Sequence, residues 1–106
     1  MNTERAAAAN TDWIVGSWRL LRCEAPVEIE PGTQMTFAAP AEMQYSIPTA
    51  QGPLRVELRW RIDGSMLHTE HLDGTNAVEV AVAHGAGDVL TFDFRGPKAW
   101  FVRETV

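Results

Sequence analysis

The chain of 106 residues has the length of one domain, and its 45% content of hydrophobic residues excludes an intrinsically disordered tail. A formal net charge of −5 argues against a nucleic-acid-binding protein, since such proteins present a basic face. No stretch approaches the ~18 consecutive apolar residues of a membrane-spanning helix. The first ten residues lack the apolar centre of a secretory signal, so we expect a soluble, cytoplasmic protein with no membrane partner.

The single cysteine, Cys23, has no partner for an intrachain disulfide, in keeping with a reducing compartment. No neighbouring base or helix N-terminus would activate its thiol. We therefore interpret Cys23 as a small, half-buried strand residue.

The N-terminus differs from the rest of the chain. Residues 1–11 are predicted to form a flexible segment, and residues 12–106 a single β-barrel domain for the reasons given below. At the boundary, Asp12 is placed to cap one helical turn that ends near Val15.

Turn signals such as Pro-Gly, Asp-Gly and Gly-Pro recur at short intervals, a pattern typical of all-β sandwiches and barrels. The segments between them alternate apolar and polar residues, most clearly over residues 54–62. Alternation with period two indicates strands that bury one face. The predicted strands cover residues 17–23, 33–38, 42–48, 54–62, 65–72, 75–83, 88–95 and 98–104.

Two Asp-Gly pairs, at 63–64 and 73–74, predict two-residue hairpin turns and thereby a register. The first turn would pair Trp60 with Leu67, and the second would pair Leu67 with Val80. Both turns independently place these three apolar residues on one face, and a slip of one residue would scramble that face. The same registers pair Leu58 with Thr69, Thr69 with Val78, and His71 with Asn76.

A third turn, Gly96-Pro97, would pair Phe92 with Phe101 and extend this inner face. Eight consecutive antiparallel strands either stay an open sheet or close. Closure removes both exposed edges and leaves an interior that side chains fill or that holds one small ligand. The prediction is therefore an all-β, eight-stranded, up-and-down antiparallel barrel with a short N-terminal helical turn. A β-sandwich with Greek-key crossovers is the alternative.

Two short pieces of sequence carry a family resemblance. Gly16-Ser17-Trp18 opens the first strand, and Arg103 lies near the end of the last strand. This arrangement resembles the lipocalins and their calycin relatives, and small bacterial lipocalin-like domains in particular. The resemblance implies that Gly16, Trp18 and Arg103 close one end of the barrel. Because the first strand's start meets the last strand's end, an Arg–indole contact worth ~1 kcal/mol is expected there.

In lipocalins the link between the first two strands covers the mouth of the pocket. Here that link, residues 24–32, is acidic, with Val27 and Ile29 available to fold inward. The first hypothesis is a binding protein that takes a small apolar or amphipathic ligand at this mouth, with His71 and Asn76 as an inward-facing pair. The predicted ligand-binding residues are Met35, Phe37, Met43, Tyr45, Trp60, Thr69, His71, Asn76, Phe92 and Phe101.

Two other classes of function stay open. In one, the interior is filled and the protein acts as a structural or interaction protein through its surface. Outward-facing Trp100 and Val102 would then be covered by Trp13 and Ile14 or by a second copy in a homodimer. In the other, Tyr45 and His71 serve as acid and base of a small isomerase- or cyclase-like enzyme. A protease-inhibitor-like barrel is disfavoured because those are usually secreted and disulfide-bonded.

Other chemistry finds little support in the sequence. His68 and His71 point to opposite faces of a strand, so no metal site and no cofactor is predicted. No nucleophile motif or phosphate-binding glycine loop is present. His68 is expected on the outside opposite Glu79, and His84 in a solvated glycine-rich turn.

A row of arginines, Arg55, Arg59 and Arg61, lies on the outer face of the fourth strand. Such a row suits an anion- or partner-binding stripe, but a solvated face is favoured. In the predicted register, Glu57 and Glu70 face each other and the neighbouring arginines offset their repulsion.

Overall fold

The structure is a computed structural model that describes residues 12–104. The predicted flexible segment 1–11 lies outside the described residues, and so does any capping by the Asp12 side chain. A short 3-10 turn, Asp12–Ile14, precedes eight strands. These are β1 (Gly16–Cys23), β2 (Gln34–Ala38), β3 (Glu42–Ile47), β4 (Leu54–Asp63), β5 (Met66–His71), β6 (Val78–Gly85), β7 (Val89–Asp93) and β8 (Lys98–Arg103).

The strands form a closed antiparallel barrel in chain order, as the alternation and turn spacing predict. Each strand pairs with the next, and β1 pairs with β8, so no strand edge is left unpaired. No helix within residues 12–104 is both long and apolar enough to cross a bilayer.

The inner face of the barrel carries the core because alternate residues of every strand point inward. In β4, for example, Leu58 and Trp60 are buried while Arg59 and Arg61 between and beyond them are exposed. Burying one such large apolar side chain contributes about 1.5–3 kcal/mol. The contiguous core is Ile14, Trp18, Met35, Phe37, Met43, Leu58, Trp60, Leu67, Val80, Val82, Leu90, Phe92, Ala99 and Phe101.

The predicted register between β5 and β6 is confirmed, with Leu67 opposite Val80. The predicted register between β4 and β5 is wrong by two residues, because Trp60 lies opposite Thr69 and not opposite Leu67. Asp63 stays in the strand, and Gly64-Ser65 form the turn. Gly64 has a φ of +64°, the conformation that a tight hairpin turn requires at this position. A shift of two residues keeps every side chain on its predicted face.

The register between β7 and β8 differs in the same way. Phe92 lies opposite Ala99, and Phe101 opposite Leu90. The connection is a four-residue loop, 94–97, because the Phe94 N–H donates to the Pro97 carbonyl at 2.9 Å and closes it there. Phe92 and Phe101 still share the interior, with ring centroids 5.2 Å apart.

Asn76 lies in the link between β5 and β6 and not on a strand, so its predicted pairing with His71 is wrong. The link between β5 and β6 spans residues 72–77, and it closes where the His71 N–H donates to the Thr75 carbonyl at 3.0 Å. Within it, the Thr75 N–H and hydroxyl both donate to the Asp73 carboxylate, at 3.0 and 2.6 Å. Asn76 follows this local turn with a φ of +55° and is exposed.

Candidate functional site

The two ends of the barrel differ in composition. The end where β1 begins and β8 finishes will be called the closed end, and the opposite end the open end. At the closed end Trp18 is fully buried, and its indole N–H donates to the Ile14 carbonyl at 2.8 Å. Ile14 is also fully buried, so the 3-10 turn plugs this end with an apolar side chain.

Arg103 ties the closed end together, as the family resemblance implied. Its guanidinium carbon lies 4.3 Å from the ring centroid of Trp18, which it faces across the β1–β8 pair. Its Nη1 donates to the Val15 carbonyl at 2.7 Å, and its Nη2 donates to the Trp13 carbonyl. Its Nε donates to the Asp88 carboxylate at 2.6 Å. One side chain therefore joins β8, the β6–β7 turn and the chain before β1.

His84 is exposed, as the sequence predicts, but it belongs to β6 and to this cluster rather than to the turn. It lies on β6, and its ring stacks on Trp13 with centroids 4.8 Å apart and an interplanar angle of 7°. Its Nε2 is 2.7 Å from the second carboxylate oxygen of Asp88. Spacing alone was a usable signal, since His84 and Asp88 flank a short turn four residues apart.

The Asp88 carboxylate bridges Arg103 and His84, and these contacts lower its pKa. The hydrogen bond from Arg103, and then the one from His84, hold the pKa of the Asp88 carboxyl below its ordinary value. A carboxyl whose pKa is lower in the folded state stabilises the fold above its unfolded-state pKa. That stabilisation is lost as the pH falls through the folded-state pKa.

We therefore expect Asp88→Asn to be less stable than the parent protein at about pH 7, with the difference shrinking as the pH falls below about 4. At low enough pH, Asp88 is protonated in both the folded and the unfolded chain, and its ionic contribution vanishes. Urea unfolding followed by circular dichroism across this range measures the difference. A difference in unfolding free energy that stays constant down to about pH 2 would contradict the assignment.

Trp100 faces outward, as predicted, but neither Trp13 nor Ile14 covers it. Instead the Arg22 guanidinium on β1 lies 3.9 Å from its ring centroid. Trp13 and Ile14 pack at the closed end. The outer indole is therefore covered from within the chain.

Most of the predicted ligand-binding residues lie in the packed interior. Phe37 and Trp60 make an edge-to-face contact with centroids 5.4 Å apart, which fills the barrel below the open end. Two cavities within residues 12–104 are lined mainly by outward-facing residues of the barrel. The buried members of the predicted set are Met35, Phe37, Met43, Trp60, Phe92 and Phe101, each at most 7% exposed.

The other predicted residues that face inward, Tyr45, Thr69 and His71, are half-buried on the upper half of β3 and β5. Beside them are two residues that the sequence reasoning missed. Leu54 and Val78 continue the inward-facing sets of β4 and β6, yet they are 53% and 49% exposed. Their places in the alternation were a signal of inward orientation, but not of exposure. These five inward-facing side chains of β3, β4, β5 and β6 will be called the mouth.

The β1–β2 link lies at the open end of the barrel. Ile29 packs against the core. The link is held to β8, because the Glu24 N–H donates to the Lys98 carbonyl at 2.8 Å and the Lys98 N–H donates to the Glu24 carboxylate at 3.0 Å. On β4 and β6, by contrast, the inward-facing Leu54 and Val78 are exposed.

The histidines of β5 point in opposite directions, as predicted. On the outer face, His68 is opposite Glu79, and its Nδ1 lies 2.9 Å from that carboxylate. His71 is on the inner face. In the part of the chain that the structure describes, no group of three or more His, Cys, Asp or Glu residues is arranged to hold a metal ion.

Comparison with known proteins identifies the fold. The chain is similar to the crystal structure of a lipocalin-like protein from Bacteroides uniformis ATCC 8492, with a TM-score of 0.72 and 13% sequence identity. The similarity covers 87% of this chain and 99% of that one. No family model and no curated protein matches the sequence. The closed eight-stranded barrel is thus lipocalin-like, as the Gly16-Ser17-Trp18 and Arg103 pieces suggested.

Proposed function

We propose that this protein binds a small apolar or amphipathic molecule at the mouth. The observation that carries the proposal is the exposure of Leu54 and Val78, which lie on the inner face of the barrel, where most other apolar residues are buried or half-buried. Uncovered apolar surface at the rim of a concave end is the usual starting point of a small-molecule site.

The polar groups at the mouth suit an amphipathic ligand. Within the described residues, the Tyr45 hydroxyl and the His71 ring make no side-chain hydrogen bond, so both are available to a polar group of a ligand. Because the lower barrel is packed with aromatic side chains, the ligand would rest across the mouth rather than sink into a deep cavity. The lipocalin-like fold supports this proposal at the level of architecture only.

Leu54 and Leu21 provide a matched test because they are almost equally exposed, at 53% and 55%, while only Leu54 faces the mouth. We expect Leu54→Ser to weaken binding of a neutral, environment-sensitive fluorescent dye about three- to tenfold, and Leu21→Ser less than twofold. Fluorescence titration measures both dissociation constants. Equal effects of the two substitutions would place the dye elsewhere and count against the mouth.

Native mass spectrometry of protein purified from its own host addresses the natural ligand. A reproducible excess mass that is lost on denaturation, and reduced in Tyr45→Ala or His71→Ala, supports the proposal. The packed interior favours a second candidate, a filled barrel that acts through its outer surface. A ligand-free protein that also fails to bind the dye at the mouth would favour that candidate.

A further inference from the structure

A groove with a volume of about 700 Å³ lies on the outer surface of β4, β5 and β6, and Thr69 and Val78 of the mouth also line it. Its charged lining residues are Arg59, Arg61, His68, Glu70, Glu79 and Arg95. These are outward-facing residues of three neighbouring strands, completed by Arg95 from the β7–β8 loop. No residue of the proposed ligand site contributes a charged side chain to this groove.

The corrected register between β4 and β5 assembles the groove. Arg59 lies opposite Glu70, and Arg61 lies opposite His68. The predicted cross-strand pair of Glu57 with Glu70 is wrong, because the β4–β5 register is shifted by two residues. On its other side, Glu57 lies opposite Gln44 of β3. Arg59 and Arg61 therefore lie directly across the ladder from residues of β5, whereas the predicted register placed the arginines diagonally to Glu70.

Positive charge is in excess at this place, although the whole chain carries −5. The Glu79 carboxylate already contacts His68, whose Nδ1 lies 2.9 Å from it. Within residues 12–104, no carboxylate lies within 4 Å of the guanidinium nitrogens of Arg59, Arg61 or Arg95. Three guanidinium groups thus face two glutamates, one of which is already paired. Elsewhere Arg103 and Arg19 do meet carboxylates, so the absence of such pairs in the groove is not a property of every arginine here.

We propose that this groove binds a small molecule that carries at least two oxyanion groups, either phosphate or carboxylate. A guanidinium group presents its N–H donors in a planar fork that matches the oxygens of such groups. Arg59 and Arg61 are two residues apart on one strand, so their Cα atoms are about 6.6 Å apart and both side chains can converge on one ligand. Arg95 closes the groove from the other side.

Arg55 provides the control for the test. It lies on β4, on the same outer face and exposed, but it does not line the groove. Arg61→Gln and Arg55→Gln therefore remove the same charge from the same strand. With inorganic pyrophosphate as the probe, we expect Arg61→Gln to weaken binding about tenfold or more, the loss of one charge-assisted contact, and Arg55→Gln less than twofold. Isothermal titration calorimetry at fixed ionic strength measures both dissociation constants.

Arg95→Gln gives a second reading from a different element, and we expect it to weaken binding by a similar factor. Thermal unfolding checks that all three variants are folded. Citrate titrated in parallel distinguishes the two ligand classes, since tighter binding of pyrophosphate indicates phosphate and tighter binding of citrate indicates carboxylate. The proposal is overturned if neither anion binds saturably, or if Arg55→Gln weakens binding as much as Arg61→Gln. Neither result decides the Leu54→Ser test of dye binding, because Leu54 does not line the groove.

Discussion

Replacing Arg103 by alanine is expected to lower the free energy of unfolding by about 3–5 kcal/mol, the largest effect of any surface-accessible side chain in this barrel. The substitution removes the donors to the carbonyls of Trp13 and Val15 and to the Asp88 carboxylate. It also removes the cation from the face of Trp18. A hydrogen bond from a charged group contributes about 1.5–3 kcal/mol, and these contacts are coupled, so the total is smaller than their sum. For a domain of this size, such a loss is a large part of the total stability.

Arg22→Ala is the matched control, because Arg22 also lies over an indole ring but on the outside of the barrel. We expect it to cost about 0.5–1 kcal/mol, the value of an exposed cation–π contact. Arg103→Lys should fall between the two, since it keeps the charge and loses the planar fork. Urea unfolding followed by circular dichroism gives all three values. Equal costs for Arg103→Ala and Arg22→Ala would show that the bonds to the chain before β1 contribute little.

The faces of the strands could be predicted from the sequence, but their registers only in part. Alternation with period two places Leu58 and Trp60 inside whatever the partner strand, so the core followed directly. Register depends on where a turn closes, and the Asp-Gly pair at 63–64 is compatible with two closures that differ by two residues. The structure has the one in which Asp63 still pairs with Met66. Both closures bury the same side chains, so the hydrophobic pattern could not distinguish them.

The proposed binding surfaces were harder to predict from the sequence than the core. The closed end followed from a short motif, because Trp18 and Arg103 must meet wherever an up-and-down barrel of eight strands closes. The inward orientation of Tyr45, Thr69 and His71 followed from the alternation, but the exposure of Leu54 and Val78 did not, since it depends on which loops cover the open end. The outer groove depends on Arg95, which the β7–β8 loop brings beside β6 from more than 30 residues along the chain from Arg61. Such contacts between distant loops leave no local periodicity in the sequence.

Gly16→Ala is expected to destabilise the barrel through the same arginine. Gly16 has a φ of +129°, a conformation that costs a residue with a side chain about 1–3 kcal/mol. A Cβ at this position would also overlap the Arg103 guanidinium, which must then leave its place against the chain before β1. Gly52→Ala separates the two effects, because Gly52 has a φ of +108° and an added Cβ there meets nothing within 4 Å.

We expect Gly16→Ala to cost about 2 kcal/mol more than Gly52→Ala, the difference being the displacement of Arg103. A double-mutant cycle tests this cause. In the Arg103→Ala background the guanidinium is absent, so the cost of Gly16→Ala should fall to that of Gly52→Ala. If the cost of Gly16→Ala is the same with and without Arg103, its effect comes from the backbone alone. The glycine of the first strand would then be required for its conformation and not for the space it leaves to the arginine of the last.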